Sequence, residues 1–335
     1  KQNWQITGGW DNIDVLFKIQ SRTRREYALG QSHEEVVTPL AKELIKSYRD
    51  LPLALYQIHW KFRDELRAKS GILRGREFEM KDMYSFHANQ QNFDRFYAQV
   101  KQAYIRAFKQ VGLTAKVTEA SGGNFSQKIS YEFMVLTDAG EDDIFYCDQC
   151  DFCVNQEIAQ VDTNSPCHLC GAPRLLAARA SEVGNVFDLG TKYSRDFELF
   201  YTDELGQKQL PIMGCYGWGT TRTMGVIVEK YNDEKGIIWP RAVAPFDLVL
   251  ININQDPSTA QKVYQQLLDN GVDVLWDDRE QTSVGSKFAD AELLGIPYRA
   301  VISQKHSDGI ELKARAEDKL SVLNLEQVIS LIKDP

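Results

Sequence analysis

A chain of 335 residues, at a prior of about 150 residues per domain, holds about two domains with developed cores, and this excludes a single small module. With 43% hydrophobic and 26% charged residues, 22 glycines and 10 prolines, it is neither disordered nor fibrous. A net charge of −8 excludes a coat for nucleic acid built on bulk positive charge, and no stretch nears the ~18 consecutive apolar residues of a membrane span.

In chain order, Lys1 is preceded by neither an initiator methionine nor a basic-then-apolar leader, so the chain is expected to begin inside a longer protein. Glu34 and Glu35 open a helix running from Val37 to Ile45, where early acids favour the helix dipole. Short alternating runs over 56–62 and 78–86, with Ser70, Gly71 and Gly75 between them, predict two antiparallel strands joined by a long basic loop. Phe93, Phe96, Val100, Tyr104, Phe108 and Val111 recur every three or four residues, which predicts a helix over 92–111 that Gly112 stops. The pattern changes near residues 239–245. Beyond it, strands over 248–253, 272–276 and 299–302 alternate with helices over 258–270 and 286–294, and a last helix covers 324–332. Residues 1–240 and 241–335 are therefore read as two domains.

Two segments carry chemistry. Between Lys61 and Lys81 there are seven Lys or Arg against four acids, so positive charge is concentrated inside an acidic protein. An Arg on a strand presents a fixed, planar fork of donors suited to phosphate, and Arg63 and Arg74 are expected on facing strands, with Phe78 able to stack on a flat base. A solvated hairpin with cross-strand ion pairs is the plainer reading of that charge. The second segment, residues 214–229, contains Gly217, Gly219 and then Arg222 at the start of a helix from about Thr221. Glycines let a backbone approach a ligand, and a helix N-terminus favours an anion, although alone this pattern is weak.

Five of the six cysteines lie between Cys147 and Cys170. Cys147 and Cys150, then Cys167 and Cys170, make two CxxC pairs separated by sixteen residues, the spacing of a four-thiolate structural zinc knot in a reducing compartment. Cys153 and His168 are rival ligands in the same piece, and free reduced thiols are the plainer alternative.

Taken together, Phe62-Arg-Asp-Glu65, Arg74-x-x-x-Phe78-x-x-x-Asp82 and Gly217-x-Gly-x-x-Arg222 resemble motifs 2 and 3 of the class II aminoacyl-tRNA synthetases. Gly30-Gln-Ser-His-Glu-Glu35, Met80-Lys-Asp-Met-Tyr-Ser-Phe86, Leu189-Gly-Thr-Lys-Tyr-Ser194 and Asp277-Asp-Arg279 narrow the resemblance to the bacterial-type prolyl-tRNA synthetases, and the likeness runs from about Trp10 to Leu331. It implies an α/β protein: an α+β catalytic domain on an antiparallel sheet of the class II type, then a C-terminal α/β anticodon-binding domain. It also implies a cytoplasmic ligase that joins L-proline to tRNA(Pro) with ATP and Mg²⁺, homodimeric in its full-length form, with no membrane partner.

Residue by residue, the resemblance gives Arg63 the α-phosphate and the activated carboxylate, Glu65 the adenine amino edge, Phe78 the stacking face and Arg222 the γ-phosphate. Arg74 joins the ATP site. Ser32 and Glu34 match the grip on the substrate's cationic imino nitrogen, and His87, Phe187 and Cys215 line the proline ring. Arg279 and Lys287 are candidate anticodon readers. The domain from residue 241 on holds ten basic and fifteen acidic residues, so stacking and edge hydrogen bonds should outweigh phosphate grip there.

The chain departs from the family in four places. Between Asp82 and Gly214 it carries the short cysteine piece over 147–170 in place of a large editing insertion, so editing in cis is not expected. Ser32 stands where Thr is usual, Trp218 where a smaller residue is common, and the motif 1 segment that normally builds the dimer interface is expected to precede this chain. A catalytically silent paralogue, or one that loads a different acceptor, is the rival reading.

Overall fold

The computed structural model describes residues 1–123, 126, 128–254, 256–306 and 309–333, and the chain divides into two compact units, Lys1–Val226 and Ile227–Pro335. In the first, helix α1 (Glu34–Leu44) precedes strands β1 (Leu53–Phe62) and β2 (Glu77–His87), and helix α2 (Gln90–Gln110) follows. Then come β3 (Lys116–Ala120), β4 (Ser130–Leu136), β5 (Asp142–Tyr146), β6 (Cys153–Asn155), β7 (Leu176–Gly190), β8 (Ile212–Gly219) and helix α3 (Thr220–Lys230). The strands form one eight-stranded sheet in the order β1-β2-β8-β7-β4-β3-β6-β5, antiparallel throughout except for the β3/β6 contact. Because β5 also pairs with β7, the strands β7, β4, β3, β6 and β5 close on themselves.

Each face of the β1-β2-β8-β7 part has its own cover. Antiparallel neighbours directly opposite one another share a face, so the register of Cys215 with Tyr84 and with Phe187 puts these three side chains together. They are buried with Val37, Ala41 and Ile45. On the opposite face lies α2, whose buried stripe is Phe93, Tyr97, Val100, Tyr104 and Phe108. The sequence expectation of this helix is close, but Tyr97 takes an inward position and Phe96 is only half-buried.

The hairpin of β1 and β2 also forms as expected, with one correction. β1 ends at Phe62 and β2 starts at Glu77, so Arg63 and Arg74 do not sit on facing strands; both belong to the connecting loop. That loop is nevertheless tied to itself, since the Arg63 N–H donates to the Arg76 carbonyl at 2.8 Å and the Lys69 N–H to the Arg74 carbonyl at 3.0 Å.

The second unit is a five-stranded mixed sheet. Strands β9 (Leu248–Asn252), β10 (Val274–Asp277) and β11 (Tyr298–Ile302) are parallel, with β9 central, and β12 (Ile310–Ala314) and β13 (Leu320–Leu323) extend the β11 side antiparallel. Helices α4 (Ser258–Asp269), α5 (Val284–Leu294) and α6 (Leu325–Lys333) cover it. The parallel part matches the βαβ pattern of the sequence; β12 and β13 are additions. At the end of α5, Gly295 has φ 73°, and a Cβ there would stand 2.1 Å from the Ile237 carbonyl oxygen, so glycine is required.

Candidate active site

One cleft gathers the residues of both chemistry-bearing segments. Arg63, Glu65, Arg74 and Phe78 reach it from the β1/β2 hairpin, Glu182 from β7 and Arg222 from the first turns of α3. The Arg63 guanidinium stands over the Phe78 ring, 5.0 Å from its centroid, and its Nε donates to the Gln31 carbonyl at 3.3 Å. Arg222 is held by Nε to the Leu73 carbonyl at 2.9 Å and by one terminal nitrogen to the Glu182 carbonyl at 3.1 Å and carboxylate at 3.3 Å. Burial, then the neighbouring charge of Arg222, draws the Arg63 pKa below the ordinary arginine value. Two like charges kept this close are poised for a shared anion.

A Cβ on Gly217 would stand 2.7 Å from the side-chain oxygen Oδ1 of Asn185, a residue that lines the cleft, so glycine leaves room for that side chain. Arg74 is spoken for on both sides: Nε and one terminal nitrogen donate to Glu65 at 3.2 and 3.0 Å, and the other to Glu141 at 3.0 Å. Trp218 is fixed from α3, its indole N–H donating to the Thr223 hydroxyl at 2.8 Å.

Next to this cleft, the turn into α1 presents Gln31, Ser32, Glu34 and Glu35, all buried. Glu34 accepts from the Cys215 thiol at 3.1 Å through Oε1, while Oε2 has no partner among the described residues. Burial first, and the Glu34 carboxylate next, push the Cys215 thiol well above its usual range, so it stays a neutral donor. Phe187 stands beside Cys215 in register, and Ser32 lies in the same turn as Glu34.

Glu35 faces a second cavity of about 610 Å³, lined also by Thr7, Gln31, Lys192 and Tyr193 and sharing Arg63 with the first cleft. The Thr7 hydroxyl donates to Glu35 Oε1 at 3.1 Å, while Oε2, like Gln31 Nε2, is buried without a partner among the described residues. Burial and the adjacent Glu34 charge raise the Glu35 carboxyl to about 7.

His87 does not join this group. On β2 it alternates with Phe86, so it points to the α2 face, against Phe93 and Phe96 at 5.5 and 5.2 Å. Its ring nitrogens pair with Asn92 Oδ1 at 2.6 Å and Ser85 Oγ at 2.9 Å. The expectation that it lines the pocket with Phe187 and Cys215 is therefore corrected by strand alternation.

Sequence reasoning also missed the buried pair beneath the turn: Lys61 Nζ lies 2.6 Å from Asp82 Oδ1, both almost fully enclosed. The signal was present, since Lys61 falls on the inward side of an alternating strand with Gln57. Glu182, to which the motif reading gives no role, is likewise central to the cleft.

The cysteine piece forms a compact knot. The sulfurs of Cys147, Cys150, Cys167 and Cys170 all lie within 4.8 Å of one another, with Cys147 to Cys170 at 3.6 Å and Cys150 to Cys167 at 3.5 Å. Zinc with four bonds of about 2.3 Å places its sulfurs about 3.8 Å apart, so these thiols fit that ion. Burial opposes the Cys167 thiolate, but N–H groups of Cys170 and Leu169 outweigh it and bring the thiol down to about 7. Cys153 is turned away, buried with Met134, Ile144 and Ala180, its sulfur 3.1 Å from the Thr118 hydroxyl. The His168 ring meets the Phe152 ring edge-on at 4.5 Å.

In the second unit, Arg279 and Lys287 converge on Asp277 at the end of β10. Arg279 donates to both Asp277 oxygens at 2.9 and 2.7 Å and lies 2.8 Å from Asp290, and Lys287 donates to the Asp277 carbonyl at 3.1 Å. Among the described residues, no helix is long and apolar enough to cross a membrane.

Residues 17–231 match the family model of the tRNA synthetase class II core domain (G, H, P, S and T), and residues 247–334 match that of the anticodon binding domain. The chain belongs to the class II aminoacyl-tRNA synthetases: it is a ligase of that class with a mixed α/β architecture, its class II core implies ATP as cosubstrate, and its C-terminal α/β anticodon-binding domain implies a tRNA partner. Among its relatives are the proline--tRNA ligases of Thermosipho africanus, 30% identical over 483 residues covering 99% of this chain and 86% of the relative, and of Bacillus cereus, 31% identical over 98% and 85%. An alignment of 483 positions with a chain of 335 residues carries long gaps on this side. The fold is similar to a crystal structure of prolyl-tRNA synthetase from Cryptosporidium parvum complexed with L-proline and AMP. That comparison has a TM-score of 0.76 at 19% identity and covers 96% of this chain and 61% of that one.

Proposed function

We propose that the protein activates L-proline with ATP to prolyl-adenylate and transfers the prolyl group to the terminal ribose of tRNA(Pro). The observation that carries this reading is the meeting of Arg63 and Arg222 in one cleft with the Phe78 ring. The relatives named proline--tRNA ligase support the choice of amino acid.

In the first step a proline carboxylate oxygen attacks the α-phosphorus, the new P–O bond forms, and pyrophosphate leaves. In the second a ribose hydroxyl attacks the acyl carbon and AMP leaves. Neither step needs a protein nucleophile, so the residues act by position and charge. Arg63 spans the α-phosphate and the carboxylate, Arg222 holds the γ-phosphate, and Phe78 and Glu65 receive the adenine, with Arg74 holding Glu65 in place. Mg²⁺ bound with ATP would offset the phosphate charge, and Glu182 is the carboxylate that offers it oxygens.

The free, buried Oε2 of Glu34 suits the cationic imino nitrogen of proline, with Ser32 beside it and Phe187 and Cys215 against the ring. The cavity on the other side of Arg63, with Gln31 Nε2 as donor and Glu35 Oε2 as acceptor, gives the terminal nucleoside of tRNA a way to the adenylate. We assign the four-cysteine knot a structural zinc ion, since four protein ligands leave no open coordination position. Arg279 and Lys287 would reach the anticodon by exchanging carboxylate partners for bases or phosphates. We also assign the chain to the cytoplasm. Pairing with a second copy would suit the outer face of edge strand β1, which exposes Tyr56, Ile58 and Trp60.

Pyrophosphate exchange measured with each of the twenty amino acids, beside charging of tRNA(Pro), tests the reading. Proline alone should support exchange well above the rest; equal or absent exchange with proline would overturn it.

A further inference from the structure

The buried network beneath the turn into α1 is built around a single hydroxyl. Tyr84, fully enclosed on β2, donates its O–H to Asp82 Oδ2 at 2.7 Å and accepts the backbone N–H of His33 at 3.1 Å. Asp82 is itself fixed, paired with Lys61 at 2.6 Å and accepting from Gln57 at 2.9 Å. His33 is the residue before Glu34 and caps the start of α1. From the other side the Trp4 indole donates to Gln31 at 3.0 Å and the Asn3 amide to the Glu35 carbonyl at 2.7 Å.

The backbone N–H of the residue before the substrate-facing carboxylate, shielded from water, needs a partner. Here it is bound by a side chain that has no freedom, because its own proton is committed to a buried carboxylate held by an ion pair. We infer that Tyr84, oriented by Asp82, is the positioning residue that sets where Glu34 stands, and so governs amino-acid binding separately from nucleotide binding. This rests on the amino-acid role proposed for Glu34. Cys215 touches the Glu34 carboxylate from the neighbouring strand, so a turn released from Tyr84 keeps that carboxylate held at its tip and loses the bond to the residue directly before it.

Tyr84→Phe removes both hydrogen bonds and keeps the ring. In pyrophosphate exchange it should raise the KM for proline about tenfold while the KM for ATP stays within about twofold. Equal rises in both, or no rise in either with the protein folded by circular dichroism, would overturn the inference. Hydrogen exchange read on a peptide covering 29–36 gives a measure independent of activity. It should speed up at least tenfold in Tyr84→Phe, and unchanged protection would sink the inference whatever amino acid the enzyme activates.

Discussion

The Cys215 thiol donates to one oxygen of Glu34 at 3.1 Å and leaves the other oxygen of that buried carboxylate without a partner among the described residues. An enclosed carboxylate with one satisfied and one open oxygen is costly unless a donor arrives, and a cationic ligand nitrogen supplies it. A charge-assisted bond of this kind contributes about 1.5 to 3 kcal/mol, or roughly 10- to 150-fold in binding. Glu34→Gln should therefore raise the KM for proline by at least an order of magnitude in pyrophosphate exchange, with the KM for ATP little changed. An unaltered proline KM would remove Glu34 from the substrate site.

Arg222 is bound by two carbonyls and by Glu182, so its guanidinium is held in place before any phosphate enters. Preorganised charge of this sort acts on the transition state more than on the ground state. Arg222→Ala should lower kcat/KM for ATP at least a hundredfold, and Arg222→Lys, which lacks the planar fork, should recover only a small part. Retention of most of the activity in the alanine variant would show that the phosphates lie elsewhere.

The hairpin that carries Arg63, the helix over Gln90–Gln110 and the parallel half of the second sheet were legible because their apolar residues repeat at the period of the element. What the sequence could not show were choices made by tertiary packing. Counting one residue further along β2 changes the face, and that is why His87 was grouped with residues from which the sheet separates it. Strand alternation marks Lys61 as inward, but that its partner is Asp82 is not legible, because composition carries no information about which charges find each other out of water. β12 and β13 are short and mixed in polarity, and they are specified by the strand they extend more than by their own pattern.

One buried and one half-buried carboxyl make a pH test possible. Burial first, then the Glu182 charge, raises Glu132 to about 8, and Glu35 is raised to about 7 from an ordinary 4.5. A carboxyl raised on folding contributes stability that is complete below about 4.5 and lost as pH climbs through the folded value, because the native state binds more protons across that window. Asp82, lowered to about 2, acts in the opposite sense and only at acid pH, where its contribution disappears below the ordinary 3.8. Urea unfolding of the wild type and Glu132→Gln between pH 5 and 9 isolates one group. Relative to the variant, the wild type should lose about 4 kcal/mol across that range. A flat difference would mean that Glu132 is ionised throughout.

The geometry of the knot separates its ligands from its bystander. Cys147 follows β5 directly, and Cys167 and Cys170 precede β7, so a shared ion would tie together the ends of two paired strands, Tyr146 being opposite Leu176. Cys153 points into the closed part of the sheet, where its sulfur meets Thr118. The protein should carry one zinc per chain by elemental analysis. Cys170→Ser should lose most of it and unfold at lower temperature, because binding energy at such a site is folding energy. Cys153→Ala should keep the metal in full and lose stability only through the small void it leaves. A full metal content in Cys170→Ser, or its loss in Cys153→Ala, would mean that the ion, if bound, is held by a different set of thiols.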